Sequence, residues 1–267
     1  MSNLLDDYGL ELNRISTQIS NYQKITNNKL CVYTCLFGDF DNFSEIPFTL
    51  DGFDSFIITD QEHIHSTNTQ SILIDWLYRS ERRTNRLFKI LPHLFFSSYD
   101  ISLYYDCNLV FKVSPLEIFS LLCPIHDFAI FNHNKRNCLF DEVDECIFWN
   151  KDSKYLLKKQ RNEYNNIPRH NGLFLGSVLI RNHNNLIKFS EFWWSQYEKF
   201  SARDQISLAY ALFTINIQFE VLNFTNFNFY FNKFEHLKKN VNESNINFFQ
   251  KLKYSFLICL IKIKKQF

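Results

Sequence analysis

Glycine and proline are scarce in this chain, five of each in 267 residues, and methionine occurs once. The signatures G-x-x-x-x-G-K-[ST], G-x-S-x-G and H-E-x-x-H are missing, which argues against a P-loop enzyme, an α/β-hydrolase of the usual pattern and a zincin. The seven cysteines (Cys31, Cys35, Cys107, Cys123, Cys138, Cys146 and Cys259) include no C-x-x-C pair, so no zinc or redox site of that spacing is written here. Reduced, mostly buried thiols are the reading, and a cytosolic compartment goes with them. Charge of one sign is lacking too. Twenty-nine basic residues meet 28 acidic ones, and a net charge of +1 gives no field to gather a polyanion, so no nucleic-acid partner is expected. Met1–Leu10 carries Asp6 and Asp7 and no long apolar run, so neither a secretory signal nor a membrane anchor is expected there.

What is present suits one large folded domain with small appendages: 46% of residues are apolar and 21% charged. The 30 Phe and 13 Tyr, alongside abundant Asn, Ile and Lys, read as coding bias and carry no functional argument. Leu4, Leu5, Leu10, Leu12, Ile15 and Ile19 recur at roughly helical spacing and predict a helical extension over residues 1–28. Apolar runs at Leu30–Phe37, Phe53–Thr59, Ile101–Tyr105, Asp127–Phe131 and Leu173–Ile180 read as strands. Helical patterns over 80–94, 115–122, 151–166, 189–200 and 203–213 alternate with them, and 132–150 reads as a polar stretch. Such alternation predicts an α/β fold with a mostly parallel central sheet and flanking helices. In the last 35 residues eight lysines face two glutamates, and Phe256–Ile261 is too short to span a bilayer. A basic amphipathic tail over 239–267, placed to meet a membrane surface, is the expectation, with a docked last helix as the alternative.

The sharpest local signal is Asp106-Cys-Asn108 directly after an apolar strand. Two oxygen-bearing side chains at i and i+2 on the edge of a parallel sheet can share a hard divalent cation, Mn2+ or Mg2+, that leaves positions for phosphate oxygens; the same spacing also caps ordinary turns. Gly38 and Asp39 follow the first strand where backbone can approach a nucleotide, and Asp60 ends the second where a carboxylate can accept from a ribose or base. Arg82, Arg86 and Lys89 share a helix face suited to a diphosphate, beside Pro92-His93. Asp204-Gln205, with Ser201 as N-cap, opens a helix where a carboxylate and an amide can contact a sugar and the charge developing at its anomeric carbon. Asn171-Gly172 is placed to hold a hydroxyl, His236 to complete a metal shell, and Lys238 to grip a leaving phosphate. Of Trp193-Trp194, one is expected in the core and the other against a sugar ring.

Gly38-Asp-Phe-Asp41, Phe56–Asp60, Arg86-x-x-Lys89-x-x-Pro92-His93, Tyr99-x-x-Ser102-x-x-Tyr105-Asp106-x-Asn108, the Gly172–His183 segment, Trp193-Trp194 and Ser201–Gln205 together resemble a glycosyltransferase-like domain of plant pectin and mucilage biosynthesis and of bacterial surface-polysaccharide loci. The resemblance covers residues 29–238. It implies a GT-A type nucleotide-binding fold, a UDP-sugar or similar nucleotide-sugar donor, a glycan or lipid-linked saccharide acceptor, and a divalent cation, commonly manganese. By likeness to the retaining galactosyltransferase and glycogenin-like group, Asp106, Asn108 and His236 would hold the metal and Asp204-Gln205 line the reacting face. Asn108 replaces the second aspartate of a D-x-D and removes a charge. The expectation is a metal-dependent glycosyltransferase at the inner face of a bacterial membrane; the competing reading is a non-catalytic nucleotide- or carbohydrate-binding module of the same fold.

Overall fold

The computed structural model describes residues 2–236. Its elements are α1 (Ser2–Thr26), β1 (Leu30–Leu36), β2 (Asp54–Thr59), β3 (Gln70–Leu73), α2 (Glu81–Ile90), β4 (Ile101–Tyr105), β5 (Leu109–Phe111), α3 (Pro115–Phe119), β6 (Phe128–Asn132), α4 (Leu139–Phe148), α5 (Lys154–Glu163), β7 (Phe174–Arg181), α6 (Ile187–Lys199), α7 (Asp204–Ile215), β8 (Glu220–Leu222), α8 (Phe227–Tyr230) and β9 (Phe231–Lys233). The continuous apolar runs of β1 and β2 are buried almost throughout, as strands covered on both faces must be.

Seven strands form one sheet in the order β3-β2-β1-β4-β7-β6-β8, and β5 pairs with β9 in a small second sheet. Strands β3, β2, β1 and β4 are mutually parallel, β8 is parallel to β6, and β7 alone runs against both its neighbours. The architecture is α/β with a mostly parallel central sheet and flanking helices, as expected of a GT-A type fold. Because β7 is reversed, it starts at the edge where β1 and β4 end. Tyr105 pairs with Val178, and the Asp106 N–H donates to the Ser177 carbonyl at 2.8 Å. Ligands of open α/β sheets bind outside the carboxyl ends of parallel strands, so this edge is the place to look.

Side chains alternate across the sheet. Tyr33, Phe56 and Tyr104 enter the larger core with Leu87 and Phe88 of α2, Trp193 and Trp194 of α6 and Leu208 of α7, while Val32, Leu103 and Tyr105 face Ile118, Phe227 and Phe231. Helix α1 sends Leu12, Ile15 and Ile19 into the larger core, whereas Leu10 is 88% exposed and lies off the buried stripe. Buried Asp54 fastens the end of α1 by accepting from Thr26 Oγ1 (2.7 Å), Asn28 Nδ2 (2.7 Å) and the Tyr99 hydroxyl (2.6 Å).

Several expectations change. Residues 132–150 contain α4, whose Leu139, Phe140, Val143 and Cys146 turn inward at helical spacing despite the acidic residues between them. Strands β3, β5, β8 and β9 are additional. Ser201 does not cap α7: its hydroxyl donates to Gln160 Oε1, and Arg203 holds the cap position without a side-chain bond. Trp193 and Trp194 are both buried, so neither offers a face to a sugar. The six described cysteines are free thiols, with Cys123 partly exposed and the others buried. No helix among the described residues is long and apolar enough to cross a membrane, and the basic segment 239–267 lies outside them.

Candidate active site

At the edge where β1 and β4 end and β7 begins lies a cleft of about 1110 Å3. Asp41, Asp106, Asn108 and His236 line it together with Arg86, Lys89, Asp204 and Gln205, and Trp149, Lys151 and Arg203 line it as well. Residues up to 195 positions apart in sequence thus meet where the topology requires.

The floor is an ion cluster. Lys89 Nζ, buried, donates to Asp204 Oδ2 at 2.5 Å and lies 3.9 Å from Asp106 Oδ1. Arg86 Nε stands 3.1 Å from the same Asp204 oxygen without hydrogen-bond alignment, while its Nη1 donates to Asn85 Oδ1. Tyr104 donates to Asp106 Oδ1 at 2.9 Å. Burial alone would raise the Asp204 pKa, but Arg86 and Lys89 outweigh it and hold the carboxyl well below the usual carboxylate range. Arg82 also lines the cleft, but Arg86 and Lys89, the other two of the three cations expected to meet a diphosphate, are therefore already turned to Asp204. Gly176 of β7 makes this possible. A Cβ there would stand 2.9 Å from Lys89 Nζ and 3.3 Å from Asp204 Oδ2, so a side chain would displace the Lys89 ammonium from its present seat.

Helix α7 is held over the cleft by two anchors: Gln205 Nε2 donates to the Phe174 carbonyl at 2.7 Å, and Trp193 Nε1 donates to the Asp204 carbonyl at 3.1 Å. Trp193 is thus a brace for the helix start, a use that its place in a Trp-Trp pair does not disclose.

Across the cleft, residues 231–236 run as a strap. Strand β9 pairs with β5, the Phe234 N–H donates to the Asn108 carbonyl, and Asn108 Nδ2 donates back to the Phe234 carbonyl, both at 2.9 Å. The flipped amide would set Oδ1 against a carbonyl oxygen, so this orientation is the one the partners demand. An aspartate here could not donate, which gives the asparagine of this D-x-N a structural use. Its Oδ1 is buried and has no partner among the described residues. Farther along the strap, His236 Nδ1 pairs with Asp41 Oδ1 at 2.8 Å, and this hydrogen bond raises the imidazole pKa against the opposing effect of burial.

These donors fit a hard divalent cation. Asp106 supplies a partly exposed carboxylate, Asn108 an orphan amide oxygen, and His236 its second nitrogen. Asp41, Asp106 and His236 line one stretch of the wall without closing into a tight three-ligand group.

Other expected positions fall elsewhere. Asp60 accepts from the Gly38 N–H at 3.0 Å, so its carboxylate shapes the turn after β1 rather than facing the cleft. Gly38, at φ +61°, is packed under the Glu81 carboxylate, and Asp39 does not line the cleft. Asn171 and Gly172 also lie off its lining; Gly172 bonds to the Asn137 carbonyl and sits against the Phe174 ring. His93 is turned toward Arg181 and away from the cleft. Lys238 is outside the described residues. Trp149, Lys151 and Gly176 went unforeseen, the first two because the helix that places them, α4, was read as a polar stretch.

The TOD1/MUCI70, glycosyltransferase-like domain matches residues 58–242, which runs from the last two residues of β2 through the cleft floor and the strap. No curated protein matches the chain.

Proposed function

Since the chain belongs to the TOD1/MUCI70, glycosyltransferase-like family, we propose that the cleft moves a sugar from a nucleotide-sugar donor, a UDP-sugar first among candidates, to a glycan or lipid-linked saccharide. The observation that carries the reading is the juxtaposition of Asp106 and the orphan Asn108 oxygen with the start of α7, where Gly176 leaves room for the Lys89–Asp204 pair. A divalent cation, Mn2+ or Mg2+, held by Asp106, Asn108 and His236, would supply charge to the leaving diphosphate when bound. Asp204, fixed by two cations, presents a set electrostatic environment to the anomeric centre, and Gln205 keeps α7 seated on β7. Asp204 is therefore a poor covalent nucleophile, which favours front-face attack assisted by the leaving phosphate, with retention, over a glycosyl-enzyme. Trp149, beside Lys151 and Arg203, offers an aromatic surface suited to an acceptor sugar. A surface glycan as acceptor is supported by the sequence resemblance alone.

The test is a nucleotide-sugar screen read by mass spectrometry, with and without Mn2+, on wild type and Asp106→Ala. Metal-dependent hydrolysis or transfer that falls at least about 100-fold in the variant is expected. Because Asp204 is already charge-paired, a binding-only module is the second reading; tight donor binding with no turnover on any acceptor would select it.

A further inference from the structure

We propose that Cys123, His126 and Glu220 form a second metal site, of the zinc type, at the end of the sheet opposite the cleft. Strand β6 runs parallel to β4, because both oppose β7, so the turn that precedes β6 lies at the far end from Asp106. That turn is Cys123-Pro-Ile-His126, closed by a 2.9 Å hydrogen bond from the His126 N–H to the Cys123 carbonyl. Proline at its second position is preset for such a turn, and the closure brings the first and fourth side chains together in a C-x-x-H spacing. Glu220 opens β8 and pairs in register with Ala129, three residues beyond His126, so the sheet delivers its carboxylate to the same place.

The ligand atoms of the three side chains all lie within 4.8 Å of one another, and His126 Nδ1 is 3.3 Å from Glu220 Oε2. Sulfur, nitrogen and oxygen ligands around tetrahedral zinc stand about 3.2–3.6 Å apart, so a closure of at most about 1.5 Å brings the three ligand atoms to one ion. Thiolate plus imidazole plus carboxylate is a borderline-soft set that suits Zn2+ better than Mg2+ or Ca2+. All three residues are partly exposed, so an ion can enter and water can fill the fourth position. On binding, the Cys123 thiol gives its proton to solvent and sulfur bonds the metal as thiolate. The bound ion would clasp edge strand β8, three residues long, to the turn before β6.

A similar group, Cys138, Asp141 and His170, is less suited: Cys138 is fully buried, and His170 Nδ1 already pairs with Asn137 Oδ1 at 2.7 Å.

The experiment titrates Zn2+ into chelator-treated full-length protein against a chromophoric chelator, in wild type, Cys123→Ser, His126→Ala and Asp106→Ala. Wild type is expected to bind one more equivalent than Cys123→Ser and than His126→Ala, while Asp106→Ala reports separately on any ion taken up by the cleft. Alkylation of Cys123 by iodoacetamide, read on its own peptide, should slow at least about tenfold with Zn2+ in wild type and be unchanged by Zn2+ in His126→Ala. Equal stoichiometry in wild type, Cys123→Ser and His126→Ala, or a Cys123 alkylation rate indifferent to Zn2+, overturns the site and leaves Glu220 and His126 as a surface ion pair. Neither result depends on the cleft's activity, so the two proposals fail separately.

Discussion

Two buried charged clusters occupy opposite ends of the same sheet and are built on opposite plans. At the cleft, Arg86 and Lys89 are matched by Asp204, with Asp106 close by. At the far end Arg181, wholly buried, has no carboxylate partner among the described residues: Nη2 donates to the Tyr33 hydroxyl at 2.7 Å, Nε and Nη1 are unpartnered among them, and His93 and His183 stand near it. A guanidinium stays charged in a protein, so the far end stores an uncompensated cation while the cleft stores a balanced one. The balanced cluster is the one whose geometry bears on a reacting ligand, and breaking a matched pair should cost more than removing an unmatched charge.

The largest effect is therefore expected from Asp204→Asn. It strands the buried Lys89 and the partly exposed Arg86, and breaking a buried pair such as Lys89–Asp204 costs about 3–5 kcal/mol. Denaturant unfolding should show a loss of that size, and donor turnover should fall at least about 100-fold. Gly176→Ala should reproduce much of the activity loss with less loss of stability, since it separates Lys89 from Asp204 without removing either charge. Wild-type turnover in Asp204→Asn would detach the cluster from catalysis altogether.

A smaller effect, of opposite origin, belongs to the far end. Burial first, with Arg181 adding to it, pushes His183 down to about 4 even though its bond to the Phe96 carbonyl acts the other way. The folded value lies below the unfolded 6.5, so His183 contributes stability above pH 6.5 that is lost as pH falls from there toward 4. The gap corresponds to about 3 kcal/mol. His93, also pushed to about 4 by burial and Arg181, adds in the same direction. Unfolding free energies measured at pH 7.5, 6 and 4.5 should decline in wild type and decline less in His183→Gln, which keeps a donor for Phe96. Parallel curves would mean that His183 titrates normally.

The contrast between the ends also explains what the sequence could disclose. Strands β1, β2, β4, β6 and β7 are visible because burial on both faces writes a continuous apolar run. Strands β3, β5, β8 and β9 have three or four residues, and sequences such as Glu220-Val-Leu carry no period; they exist because a neighbour offers hydrogen bonds. Helix α4 was hidden by Asp141, Glu142, Asp144 and Glu145, which make a half-buried helix look like a loop. At the site, Asp106, Asn108, Arg86, Lys89, Asp204, Gln205 and His236 were legible as chemistry and do share one cleft. Their pairing was not. That Lys89 spends its charge on Asp204, that Gly176 permits it, and that Asn108 holds the strap are facts of approach in three dimensions. The far-end cluster left no trace, because a buried arginine without an acid is indistinguishable in sequence from an exposed one.

The smallest effect, and the sharpest test of the comparison, is Arg181→Met. Methionine fills a similar volume with a flexible apolar chain, and Tyr33 keeps its 3.2 Å bond to the Phe88 carbonyl when the guanidinium goes. Because the cation has no partner to strand, its removal relieves desolvation without leaving an opposite charge behind. Stability is expected within about 1 kcal/mol of wild type, or above it, against the several kcal/mol lost in Asp204→Asn. The pH dependence assigned to His183 should shrink as well, since Arg181 is one of the groups holding that imidazole neutral. A loss as large as that of Asp204→Asn would show that Arg181 is compensated after all, by oriented dipoles or a bound anion, and the two ends of the sheet would then follow one plan.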